Sequence, residues 1–338
     1  MLFENVSIAG LAHVDAPHTL TSQEINERLK PTFERLRIRA DMLGDIAGVH
    51  ARRLWDPGTE ASDVAAEAAR RVLDKTGIGA DQLGMVINTS VSRDYLEPST
   101  AAIVSGKIGV GDRCITFDIA NACLAFVNGM DMAARLIEVG DVQYALVVDG
   151  ETSNLVYEKT IERLSRPEAT AEEVKNELAA LTTGSGAVAM LLCHRSLAPE
   201  APTYRGAVTR SANQWSHLCL GNLDRMVTDT RLLLMEGIRL AEKTFRAASE
   251  VFDWKVEDLD QFIIHQVSNP HTKAFIKTLG INPQKVMTIF GEFGNIGPAS
   301  VPIVLSKLNE MGRLKKGDRI GLMGIGSGLN CSMAEVVW

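Results

Sequence analysis

No CxxC pair occurs among the five cysteines, Cys114, Cys123, Cys193, Cys219 and Cys331, and an odd number cannot all pair off. That leaves no basis for a zinc site or a disulfide framework and points to reduced thiols. No basic stretch precedes the apolar residues of MLFENVSIAGLAHVDAP, where Glu4 intrudes, so the segment does not read as a signal peptide. Apolar runs of bilayer length are also missing; GAVAMLLC falls far short of a span. The expectation is a soluble, cytoplasmic chain. Positive charge is not in excess: the formal net charge is -7, with Lys and Arg scattered. This argues against nucleic acid as a partner, while a local basic cluster could still hold an anionic molecule.

What is present is an ordinary globular composition, with 46% hydrophobic and 23% charged residues in 338. That length exceeds the usual single domain and suggests two units. Strand-like and helix-like runs alternate: NVSIAG, a helix over 62–75, LGMVINTS, a helix over 99–108, CITFDI, a helix after Ala122, and YALVVDG. Such alternation marks an α/β fold with buried strands. The charged stretch 157–181, broken by Pro167, reads as an excursion between halves. GSGAVAMLLC then reads as a strand. Residues 230–252 read as a helix with Leu234, Ile238, Ala241, Phe245, Ala248 and Phe252 on one stripe, and QFIIHQVS, KVMTIF and RIGLMGIGSG as further strands. The second half thus repeats the order of the first, with the division placed between 1–180 and 181–338 and a site expected at the seam.

Cys123 falls in TFDIANACLAFVNGMDMAARLI, at a corner between a strand and a helix. There the first-turn N–H groups and the helix dipole favour a thiolate, although most free cysteines are small buried hydrophobes. His265 ends the apolar run in QFIIHQVSNPHT, and Asn295 sits among glycines in IFGEFGNIGPASVP. Taken singly, either reads as a structural hydrogen-bonder or a turn residue. Together with Cys123 they offer a nucleophile, an imidazole and an amide from three strand ends, the composition of a thioester-processing site.

The segments NACLAF, IIHQVSNPH, GNIGPASVP and GIGSGLNCS, in this order and spacing, resemble the active-site motifs of the ketoacyl synthase III branch of the thiolase superfamily. The likeness spans essentially the whole chain. SRDYLEPSTA, DGETSNLVYEKT and GNLDRMVTDTRLLL are similar to the condensing enzymes that open bacterial long-chain olefin synthesis. The resemblance implies a thiolase fold, two similar α/β halves in a layered αβαβα arrangement. It implies a homodimer acting on fatty acyl-CoA, no metal or redox cofactor, and downstream olefin-pathway enzymes that reduce and decarboxylate the product.

By the same resemblance Cys123 is acylated, and its N–H and that of Ser327 form the oxyanion hole; many relatives carry Gly at the position of Ser327. His265 and Asn295 donate hydrogen bonds to the second substrate as it becomes enolate-like. Glu97 stands where the decarboxylating relatives usually carry an aromatic. A substrate without a carboxyl group to lose must give up an alpha proton, and a carboxylate sequestered from water is a suitable base, so Glu97 is the candidate base, acting across the dimer. His50, Arg52 and Arg53 in GVHARRLW are candidate partners of the CoA phosphates, with Trp55 nearby, though a solvated basic turn fits them equally. Three other readings remain: a malonyl-dependent ketoacyl-ACP synthase III, an acyl-CoA thioesterase, and a non-catalytic scaffold.

Overall fold

The computed structural model describes residues 2–40, 42–222 and 224–338; Leu223, inside GNLDRMVTDTRLLL, lies outside the described residues. Nine strands hydrogen-bond in one continuous order. Five of them form a first sheet, ordered Val6–Asp15, Gly186–His194, Tyr144–Glu151, Met85–Asn88 and Ile115–Asp118. Gln261–Ile264, Arg319–Gly326, Asn330–Val337 and Thr203–Ser211 form a second. Among the described residues one register pair, Ser7 with Thr203, links the two, with Ile8 N–H donating to Pro202 O and Phe3 N–H to Arg205 O beside it, so they behave as separate faces joined at one corner.

Each sheet has apolar residues on both faces, which is what the near-continuous runs VSIAGLAHV and RIGLMGIG require. Between the sheets lie the helices Ala125–Glu138 and Ser300–Glu310. Phe126, Met130, Ala134, Ile303 and Leu305 pack there against Ile8 and Val188 of one sheet and Ile320 and Val336 of the other. Outside the first sheet, Ala61–Thr76 covers Val14, Leu146 and Ala189; its row of buried alanines lets the helix sit close. Outside the second, Thr230–Phe252 and Asn269–Leu279 cover Phe262, Ile264 and Met323. Five layers follow, αβαβα. Each fully buried Leu, Ile or Phe contributes about 1.5–3 kcal/mol of transfer free energy, and the shared middle layer gathers such residues from both halves.

The strand Gly186–His194 pairs between Val6–Asp15 and Tyr144–Glu151, so the first sheet extends past the division expected at 180/181. The stretch 157–181 holds the end of the helix Asn154–Leu164, the helix Ala171–Glu177 and most of the 3-10 helix Leu178–Thr182, with Tyr157, Ile161, Leu164 and Val174 packed on Ile25, Leu29 and Phe33. KVMTIF, expected as a strand, is not one. Its backbone is claimed by one side chain: Gln266 donates to Met287 O and accepts from the N–H groups of Ile289 and Phe290. The stripe on Thr230–Phe252 turns slightly from expectation: Ala241, Ala248 and Phe252 are buried, together with Gly237, Leu240 and Thr244, while Leu234 is half-buried.

The halves are sewn together at Asn295, whose N–H donates to Thr182 O at 2.8 Å while its carbonyl accepts from Gly184 N–H at 2.9 Å. Gly184 is required there, because a Cβ would stand 1.8 Å from Phe293 O. We predict that Gly184→Ala lowers stability by more than about 2 kcal/mol, since a backbone oxygen cannot yield as a side chain can. Denaturant unfolding checks this, and an unchanged midpoint would show that the loop shifts freely.

Candidate active site

Three chain segments meet at one end of the middle layer. Cys123 lies in a single 3-10 turn, Ala122–Leu124, that leads into the helix Ala125–Glu138. Ala122 takes a left-handed φ of 46°, a conformation unfavourable for a non-glycine residue, and this sharp corner sets the direction of Cys123. His265 follows the strand Gln261–Ile264, its N–H donating to Met323 O of the neighbouring strand at 2.7 Å. Asn295 precedes the turn Gly297–Ala299, which packs on the Cys123 turn.

The closing turn after Arg319–Gly326 completes the cluster. A Cβ on Gly326 would lie 3.3 Å from the Cys123 nitrogen, which measures how near the two backbones come. An asparagine clamp fastens them: Asn330 Nδ2 donates to Asn121 Oδ1 at 3.1 Å and towards Ser327 O at 3.4 Å, and Asn121 Nδ2 donates to Asn128 Oδ1 at 2.6 Å. Ser327 carries no positive φ; that conformation falls on Gly328, with φ 138°. A serine is therefore accommodated at this turn.

Burial shapes the chemistry of the site. It pulls the His265 imidazole down to about 3, with His271 adding to the effect, so the ring is neutral at ordinary pH. His265 Nδ1 pairs with Ser300 Oγ at 2.9 Å, fixing the ring, and the tautomer follows from which atom holds the shared proton. Asn295 Oδ1 accepts from Gly297 N–H at 3.0 Å, which aligns the amide and leaves Nδ2 as its donor. A neutral ring and an oriented amide N–H together suit a developing oxyanion.

Cys123 departs from expectation. Burial, then Cys219 and Glu151, push its thiol up to about 12, against a smaller opposing hydrogen bond from its own backbone. The shift is upward despite the helix start that follows, because burial, the largest cause, penalises the ionised form. At rest the Cys123 side chain is a thiol.

Glu97 is exposed, in a loop with Val91, Tyr95 and Leu96 that are 56%, 61% and 86% exposed. Within the single chain, no apolar pocket encloses it. The trio His50, Arg52 and Arg53 is split. Arg52 is fully buried, its guanidinium donating to Leu20 O and Ser22 Oγ, and burial draws its pKa down to about 10; it is an internal strut rather than a surface cation. Arg53 lies half-buried over the Phe293 ring at 5.1 Å, and only His50 is exposed. Trp55 is buried, with Nε1 donating to Glu151 O. Ser300, Asn330 and the acids Asp149 and Glu151 were not foreseen. Two acids ending an apolar strand in YALVVDGE were the available signal for the last pair.

Fold and site are those of a thiolase-fold acyltransferase. Residues 117–201 match the model of 3-oxoacyl-[acyl-carrier-protein] synthase III, and residues 250–338 its C-terminal model. An acyl-CoA:acyl-CoA alkyltransferase of Xanthomonas campestris is 71% identical over 100% of both chains, and one of Shewanella oneidensis 35% identical over 100% of both. The cerulenin-bound crystal structure of Xanthomonas campestris OleA superposes with a TM-score of 0.99 at 71% identity, covering 100% of this chain and 98% of that one. A cysteine-to-serine variant of OleA with bound lauric acid and lauroyl-CoA gives 0.98 at 70%, covering 99% and 100%. The chain belongs to the acyl-CoA:acyl-CoA alkyltransferase (OleA) family, within the 3-oxoacyl synthase III branch of the thiolase superfamily.

Among the described residues, no helix is long and apolar enough to cross a membrane, and no group of His, Cys, Asp and Glu is placed to hold a metal ion. With the thiol at about 12, alkylation of Cys123 by iodoacetamide in the free protein will climb with pH up to at least about pH 9 without levelling. A plateau near neutrality would instead show a thiolate held by the helix end.

Proposed function

We propose that the chain condenses two long-chain fatty acyl-CoA molecules by a non-decarboxylative Claisen reaction, the first step of long-chain olefin biosynthesis. The carrying observation is the convergence of the Cys123 turn, the neutral His265 and the donor-oriented Asn295 beside the Gly326–Ser327 turn. The Cys123 thiol attacks the first thioester and CoA leaves with the thiol proton. The N–H groups of Cys123 and Ser327 hold the carbonyl oxygen as its charge develops. Glu97 then takes an alpha proton from the second acyl-CoA, while His265 and Asn295 hold the resulting enolate oxygen. The enolate carbon attacks the acyl-Cys123 carbonyl, the Cys123 sulfur departs and regains a proton, and a 2-alkyl-3-oxoacyl-CoA forms. Hydrolysis yields the beta-keto acid and CoA. These steps call on no metal or redox cofactor.

Glu97 serves from the partner in a homodimer. Its exposure beside Val91, Tyr95 and Leu96 supports this, because such a cluster is costly to leave in water. The edge strand Ile115–Asp118, with Ile115 50% exposed, offers a free row of backbone groups beside it for pairing with a second copy. OleA variants solved with a glutamate, a cysteine or a histidine replaced carry them at the same two intervals as Glu97, Cys123 and His265 here. The beta-keto acid calls for downstream enzymes that reduce and decarboxylate it. His50 and Arg53 remain the candidates for the CoA phosphates.

Purified protein given one long-chain acyl-CoA and no malonyl thioester will yield a condensed beta-keto acid, or its ketone, by mass spectrometry. Free fatty acid alone would favour the thioesterase, and product only with malonyl-acyl carrier protein the decarboxylating synthase. Glu97→Ala will cut condensation by roughly 100-fold or more while leaving transfer to Cys123 intact, as expected for loss of a general base.

A further inference from the structure

The acid that ends the strand Tyr144–Glu151 has no part in the reaction as written, yet it lies between the groups that perform it. Glu151 is 6% exposed. Its Oε1 accepts the Val91 N–H at 2.6 Å, and its Oε2 accepts the Ser92 N–H at 3.2 Å and the Ser92 hydroxyl at 2.6 Å. These are the first residues of the loop that ends at Glu97. The loop is pinned again by Ser62, whose N–H donates to Asp94 Oδ1 at 3.0 Å; past Asp94, Tyr95 to Glu97 are exposed. On its other side the carboxylate packs on Gly297, where a Cβ would lie 3.5 Å from Oε1. Gly297 is the residue whose N–H orients the Asn295 amide.

From this juxtaposition we infer that Glu151 is a positioning residue for condensation: one carboxylate holds the root of the Glu97 loop and braces the Asn295 turn. The inference rests on the Claisen reading above. It concerns chiefly the second half-reaction, because the two parts that the carboxylate holds, the Glu97 loop and the Asn295 turn, act there. Charged hydrogen bonds of this kind are roughly twice as strong as neutral ones, so a buried carboxylate with three donors is a stiff joint. Burial nevertheless pushes Glu151 up to about 7, against the lowering effect of those donors, and the buried Asp149 is its acidic neighbour. Such a costly group in the interior calls for a function that an apolar residue could not serve.

A second consequence has the opposite sign. Glu151 is among the charges that raise the Cys123 thiol, so neutralising it makes the thiol easier to ionise. Glu151→Gln keeps the shape but loses the charge and one of the two accepting oxygens. The variant is given a single long-chain acyl-CoA; intact-protein mass spectrometry follows acyl-Cys123, and product analysis follows the beta-keto acid. Acylation is expected unchanged or faster while condensation falls roughly tenfold or more, the scale on which small misplacements act, so acyl-enzyme accumulates. Ser92→Ala, which removes one of the three hydrogen bonds, should show the same split more weakly and keeps the test sound should Glu151→Gln fail to fold. The inference is overturned if acylation and condensation fall together, or if condensation is unchanged or rises. Absence of condensed product from the unsubstituted protein would overturn the Claisen reading itself, a different result.

Discussion

The arrangement depends on a short piece of extended backbone at Asn295. Its N–H and C=O are both taken by the segment 182–184 of the other half, so the loop that aligns the amide cannot drift relative to the sheet carrying Glu151. Close approach of Gly184 to Phe293, the Cβ of buried Arg52 beside Gly184 and Gly294, and the brace of Glu151 against Gly297 all gather around that contact. Ser300, two residues past the Gly297–Pro298 pair, then reaches His265. A backbone bridge between halves thus fixes two donors from different chain segments, and preorganised donors cost no reorganisation when charge develops.

Cys123 and His265 are both uncharged at rest. Burial holds Cys123 as a thiol and His265 as a neutral ring, each by penalising the ionised form. Negative charge arises only as a thioester carbonyl is attacked or an alpha proton leaves. The site therefore favours its transition states over its resting groups, the condition for raising a rate rather than merely tightening binding. Glu97 lies outside this enclosure in the single chain, and the proposed reading draws its desolvation from a second copy.

Much of this was legible in the sequence. Near-continuous apolar strands and an apolar helix after Cys123 implied strands covered on both faces, and the order NACLAF, IIHQVSNPH, GNIGPASVP implied a composite site. Four features were not. The strand Gly186–His194 returns to the first sheet because its partners are Val6–Asp15 and Tyr144–Glu151, a long-range choice that no local pattern encodes. KVMTIF has strand composition, but Gln266 supplies the hydrogen bonds a neighbouring strand would have given. The upward shift of Cys123 follows from its burial, with Cys219 and Glu151 adding to it, and the burial of Arg52 from a fold that places it beneath Ser22. Helix-end arguments and basic-cluster arguments both assume an exposure that only the tertiary structure decides.

The account's central claim is that a working site needs Cys123 of one chain and Glu97 of another. Co-expressing Cys123→Ala and Glu97→Ala chains with different affinity tags and isolating the doubly tagged dimer tests it directly. Each variant alone is predicted to lose nearly all condensation, whereas the mixed dimer would contain one site with both residues and is predicted to recover a substantial part of one site's activity. Mixed dimers that form and remain inactive would contradict the claim and place the base within the same chain as the nucleophile.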